Sequence, residues 1–183
     1  CRRLAYIALI RSSLEYAAVV WDPYLRKDID KLECMQRQAA RFITKDYKSR
    51  DPGCIGRMLD TLNLPPPLEE RRRQLRLAML FKIANDLMPA LPAGDFLTRT
   101  STERRRVRPT TYDGYESQNI LQRQANNNSR CYKVPPSKTD QFRNSFFVRT
   151  VVEWNNLPDA VVQLPSPSSF AAALGKQPAT HQF

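Results

Sequence analysis

Apolar side chains along this chain recur mostly at spacings of three and four residues, the period of a helix rather than the alternation of a strand. Residues 3–21 predict a first helix, ended by Trp21-Asp22-Pro23 because a proline disfavours helical geometry in the residue before it. Its stretch 4–10 is apolar nearly all round, too wide for a helix with one solvated face. Residues 27–45 predict a second helix with Ile29, Leu32, Gln36, Ala39 or Ala40 and Ile43 on one side, and Lys31, Arg37, Arg41 and Lys45 spread over the others. A short helix is expected over 55–62. The stiff connector Leu64-Pro65-Pro66-Pro67 then sets up a third long helix over 68–87, with Leu68, Leu75, Met79 and Ile83 or Phe81 inward.

Near the C-terminal end, Phe146, Phe147, Thr150, Val151 and Trp154 recur at helical spacing, with Arg149 and Glu153 facing away. Asn155, Asn156 and Pro158 stop that helix, and another restarts at Ser166 with Pro167 in its first turn, burying Phe170 and Leu174. Between these halves, 88–141 carries little hydrophobic periodicity: prolines, a run of arginines from Arg99 to Arg108, then the polar stretch 122–129. Such a segment buries too little apolar surface to offset its ordering entropy. It reads as a long irregular basic loop, with at most a brief extended piece near 104–108.

The expected fold class is therefore mainly α: a small helical bundle, a long irregular basic loop and short C-terminal helices. Three regions follow, 1–87, 88–141 and 142–183, the last packing on the first. The expected core is Leu14, Tyr16, Trp21, Ile29, Leu32, Ile43, Leu75, Met79, Phe146, Val151 and Trp154, with Trp21 anchoring a helix end.

A formal net charge of +11 and a pI near 9.9 change the picture, since they suit a polyanionic partner, most simply nucleic acid. Arg71, Arg72, Arg73 and Arg76 crowd the first half of the third long helix, where cations oppose the helix dipole and only Glu69 and Glu70 offset them. A local cost without local gain points to contact with phosphate. Arg37 and Arg41 on the second helix are candidates for the same role, against a solvated helix face as the plain alternative. Arg104, Arg105, Arg106 and Arg108 read as a phosphate-gripping arm, a nuclear-import signal or a solvated loop, and charge alone does not separate the three. Tyr112, Tyr115 and Tyr132 near these arginines are compatible with stacking on single strands.

Cys1, Cys34, Cys54 and Cys131 lie 20 or more residues apart, with no CxxC and a single histidine, His181, so zinc-finger spacing is missing. No Ser/His/Asp, Cys/His or paired-carboxylate arrangement has catalytic spacing. No apolar run approaches the roughly 20 residues a membrane span needs, so no membrane partner is expected, and the compartment is read as nuclear or cytoplasmic.

The order SFF-R-V-EWN-LP followed by S-SF---L, within 145–174, resembles the C-terminal region of reverse transcriptases from LINE-type, non-LTR retrotransposons of the jockey-like sort. LEYAAVVWDPY (14–24), DIDKLECMQRQAARFI (28–43) and LEERRRQLRLAMLFKI (68–83) resemble the segment that follows the polymerase palm in those proteins, with Gln36, Arg37 and Arg41 falling on a Q-R-A-R pattern. The resemblance implies that 1–87 is thumb-like. It also implies a non-catalytic post-palm role: holding template RNA and DNA primer, with the upstream palm of the same parent as a second partner. The reaction's divalent metals need paired aspartates on a hairpin, and this sequence has no Asp-Asp pair. The metal is thus expected in the palm and not in this chain. Cys1 in place of Met, leading straight into an apolar helix, reads as a fragment or a truncated element copy whose apolar run faced the palm. The alternative is a stand-alone helical protein-interaction domain or a host-adopted transposon relic, with no nucleic-acid role.

Overall fold

A computed structural model describes residues 1–64, 67–100 and 128–176. The fold is mainly helical, as the periodicity predicts, and the described residues contain one isolated antiparallel bridge and no strand. They form two compact units, 1–76 and 77–176, and the division falls inside a helix rather than in a linker.

In the first unit, α1 (Arg2–Ala5) continues without a break into a π-helical stretch, Tyr6–Arg11, and then α2 (Ser12–Glu15). The expected helix over 3–21 is not continuous. Tyr16 is extended (φ −61°, ψ 127°) and Ala17 left-handed (φ 50°) before α3 (Ala18–Trp21) resumes. No proline or glycine causes this break, and a left-handed alanine costs on the order of 1 kcal/mol or more. Tyr16 ends up 80% exposed, and Trp21 lies at the surface with its indole N–H donating to the Tyr16 carbonyl at 2.7 Å. Neither is a core residue, contrary to the expectation from spacing.

The long helix α4 (Arg26–Thr44) buries Ile29, Gln36, Ala39 and Ala40 and stops at Lys45 in a left-handed conformation (φ 62°). It packs against α5 (Cys54–Thr61), entered through Gly53 at φ 76°, a conformation glycine adopts without steric cost. The next helix, α6 (Leu68–Ala84), gives its first half to this unit and its second half to the other.

The second unit adds α7 (Ala93–Phe96), α8 (Asp140–Arg143), α9 (Phe146–Asn155), α10 (Asp159–Val162) and α11 (Pro167–Leu174). The predicted start of α11 is present: Ser166 Oγ accepts the Ser169 amide at 3.2 Å, with Pro167 in the first turn. Trp154 is fully buried, its ring centroid 5.7 Å from Phe170, 6.4 Å from Phe81 and 6.2 Å from Tyr132. Leu77, Leu80, Ile83, Val151, Leu157, Val162 and Leu174 close round this aromatic centre. Of the predicted core, Ile29, Val151 and Trp154 are buried; Leu14, Leu32, Ile43, Leu75, Met79 and Phe146 are half-buried.

Residues 128–134, expected to belong to the loop, are built into this core instead. The Trp154 indole N–H donates to the Arg130 carbonyl at 2.9 Å. Asn155 holds the main chain of Tyr132 from both sides, its Oδ1 accepting the amide at 2.9 Å and its Nδ2 donating to the carbonyl at 2.8 Å. Asn128 reciprocates, donating to the carbonyls of Trp154 (2.8 Å) and Leu157 (3.0 Å) at the end of α9. The same strip pairs with 98–100, through Lys133 N–H to Thr98 O (2.8 Å) and Thr100 N–H to Cys131 O (3.1 Å). Side-chain amides, rather than apolar periodicity, order this segment. The rest of the expected loop, 101–127, lies outside the described residues.

Because Trp154 touches three aromatic rings and leaves no room to collapse, Trp154→Ala should cost about 3–5 kcal/mol in urea unfolding. Tyr16→Ala, at an exposed position, should cost under ~0.5 kcal/mol in the same measurement.

Candidate nucleic-acid interface

The arginine cluster of α6 is the first place to look for phosphate contacts, and its geometry argues against that role for two members. Leu68, Arg72, Arg76 and Leu80 are spaced four residues apart, so both arginines stand on the helix's buried stripe. Arg72 is 0% and Arg76 2% exposed. Arg72 Nε donates to Asp22 Oδ1 at 2.7 Å, and Arg76 Nη1 pairs with Asp22 Oδ2. Arg71 pairs with Glu15 through two nitrogens, and Arg73 Nη1 meets Glu70 Oε1 at 3.1 Å. The local dipole cost thus has a structural gain, one that the sequence around α6 does not reveal. Arg72 and Arg76 have no surface on which to receive a phosphate. Asp22 lies just past α3, the helix that resumes after the break at Tyr16 and Ala17.

Exposed positive charge of the first unit lies elsewhere: at Arg2 and Arg3, and along α4, the segment leading into α5 and α5 itself. Lys27, Arg37, Lys45, Lys48, Arg50 and Arg57 are all exposed and enter no ion pair among the described residues. Arg37 stays available, as its place in the sequence predicts, making one long contact to the Asp30 carbonyl at 3.4 Å. Arg41 turns inward: its Nη1 donates to the Asp46 carbonyl at 3.3 Å and its Nη2 to the Ser49 carbonyl at 3.0 Å. It positions the loop rather than facing a ligand.

Asp46 completes that loop, accepting the amides of Lys48 (3.1 Å) and Ser49 (3.0 Å) on Oδ1 and the Ser49 hydroxyl on Oδ2. The Ser49 hydroxyl and amide favour the ionised carboxylate and pull its pKa below the ordinary value. Lys45, Lys48 and Arg50 are therefore carried on backbone pinned from both sides, by Arg41 on its carbonyls and Asp46 on its amides. Cations carried on a held backbone suit a polyanion, because little loop freedom remains to be given up on binding. The signal readable in the sequence is Asp46 two and three residues before Lys48 and Ser49, an Asx-turn spacing.

The arginines 104, 105, 106 and 108 lie outside the described residues. Among the described residues, no group of three His, Cys, Asp or Glu side chains could hold a metal ion, all four cysteines are free, and no helix is long and apolar enough to cross a membrane. No protein family, curated protein or solved structure matches the chain.

Removing the shared carboxylate by Asp22→Ala takes an opposite charge away from two buried guanidiniums and should cost about 3–5 kcal/mol in chemical unfolding. Asp46 sets a pH dependence. Its folded pKa is depressed, so its contribution to stability is present above the unfolded carboxylate value and is lost as pH falls through the folded one. The Ser49 amide should lose protection from hydrogen exchange over that acid window, and Asp46→Asn should remove the pH dependence.

Proposed function

We propose that this chain is a non-catalytic part of an RNA-directed DNA polymerase of the LINE type, C-terminal to the palm. Its role is to hold template RNA and DNA primer through the cations of α4, the loop after it and α5. The observation carrying this reading is the set of six exposed cations between Lys27 and Arg57 in no ion pair among the described residues, three of them on the pinned loop 45–50. The sequence blocks that resemble those polymerases supply the reaction; the residues here supply charge and its support. In this reading the divalent metals and the paired aspartates belong to the upstream palm, the second expected partner. The work of the chain is electrostatic: cations displace counterions condensed on the nucleic-acid backbone, which gives affinity with little sequence preference. Arg37, Lys48, Arg50 and Arg57 touch the phosphates. Arg71 and Arg73 serve indirectly, by fixing α6 through Glu15 and Glu70.

Binding of RNA–DNA hybrid, duplex DNA and single-stranded RNA, followed by fluorescence anisotropy over a salt series, tests the reading. All three should bind with steep salt dependence. Replacing Arg37, Lys48, Arg50 and Arg57 together by Gln should weaken binding. On duplex DNA it should also flatten the log–log slope by up to about 0.9 for each phosphate that is no longer neutralised. The same number of changes at Lys82, Lys133, Lys138 and Lys176 should leave the slope near that of the parent chain. Equal slopes for both variants would remove α4 and its loop from the binding surface.

A further inference from the structure

The first unit carries an apolar groove of about 240 Å³ between the N-terminal helical stretch and α4. Two alanines, Ala5 and Ala39, lie in its lining, and Leu9, Ile10, Met35 and Phe42 form its walls. The wall side chains are 70%, 42%, 41% and 48% exposed, a row of large apolar groups that would normally be covered. An open groove of this volume falls below the range of small-molecule pockets, which enclose most of their ligand. Two helices lining a trough with small residues in it, and a methionine that can adapt its shape, instead fit the ridge of a third helix.

Charge at the rim says what kind of helix. At the Phe42 end, Arg2 lies with its guanidinium carbon 5.0 Å from the Phe42 ring centroid and donates to the Phe42 carbonyl at 3.1 Å. Lys45 stands less than one turn beyond Phe42, and neither cation has an ion pair among the described residues. Next to the other wall residues, Arg11 is paired with Glu15 at 3.4 Å and Lys31 with Asp28 at 3.0 Å. The rim is therefore cationic at one end and neutralised at the other. A negative helix end complements it, and the acidic first turn of a helix is where such charge sits most favourably.

We infer that the groove seats an amphipathic helix of a partner protein, with apolar anchors at i, i+3, i+4 and i+7 along the trough and an acidic first turn against Arg2 and Lys45. The inference does not depend on nucleic-acid binding, since Met35, Leu9 and Ile10 take no part in the proposed phosphate contacts.

The probe is a fluorescently labelled synthetic peptide about four turns long, with Leu at the four anchor positions and Asp and Glu in its first turn, titrated with the full chain. Saturable binding is expected, weakened about tenfold by Met35→Gln and similarly by Leu9→Gln. Both positions are exposed, so circular dichroism and thermal melting of these variants should match the parent chain. Arg2→Glu should weaken the acidic peptide and strengthen one carrying Lys in its first turn. Absence of saturable binding, or equal affinity for the parent chain and both apolar variants, would overturn the proposal. So would a concentration-dependent dimer in sedimentation equilibrium that Met35→Gln abolishes and the peptide does not dissociate, which would give the groove to a second copy of the chain.

Discussion

Two guanidinium groups meeting one buried carboxylate impose the main constraint on the first unit. Arg72 and Arg76 enter the interior on the same stripe as Leu68 and Leu80, and charges of that size are tolerated there only beside an opposite charge. Asp22 supplies opposite charge, from a chain that has left helical geometry at Tyr16 and Ala17. The exposed Tyr16 stands at this break and the exposed Trp21 at the end of the short α3, next to Asp22. With Glu15, Asp22 and Glu70 holding the arginines of α6, the exposed cations in no ion pair among the described residues of this unit include Arg2, Arg3, Lys27, Arg37, Lys45, Lys48, Arg50 and Arg57.

What is legible from sequence is whatever local periodicity determines. The helices over α4, α6, α9 and α11 follow from three- and four-residue spacing, and the Ser166-Pro167 start follows from capping chemistry. What escapes depends on contacts between residues distant along the chain. Arg72 sits 50 residues from Asp22, and no spacing rule joins them. The same holds for Asn155 and Tyr132, 23 residues apart, so a segment poor in apolar residues reads as loop although side-chain amides order it. For the candidate site, Arg37 is legible as an exposed cation, whereas Arg41 looks identical in sequence and differs only because a loop folds back beneath it. The pinned cations Lys45, Lys48 and Arg50 do not stand out, since lysines scattered through a polar turn resemble any solvated loop.

The helix α4 serves three surroundings at once. Ile29, Gln36 and Ala40 face the interior, Met35, Ala39 and Phe42 border the apolar groove, and Lys27 and Arg37 are open to solvent. A 19-residue helix has about five turns, enough to give each surrounding its own stripe. The two proposed contacts thus share a scaffold and one cation, Lys45, while their other anchors differ: Leu9, Ile10 and Met35 for the groove, and Arg37, Lys48, Arg50 and Arg57 for the phosphates.

The way Asn155 and Trp154 hold the strip from Asn128 to Tyr132 has a consequence for how such a chain diverges. Both address main-chain atoms, Asn155 the amide and carbonyl of Tyr132 and Trp154 the carbonyl of Arg130. Every residue other than proline offers those same groups, so the strip's side chains are free to drift as far as their own packing allows. The readers have no such latitude: aspartate cannot donate, leucine can do neither, and glutamine is one methylene too long for the same geometry. Across descendants of this fold, identity should persist at the Trp-Asn pair and erode along the strip, leaving a fixed dipeptide whose partner is invisible to any comparison of side chains.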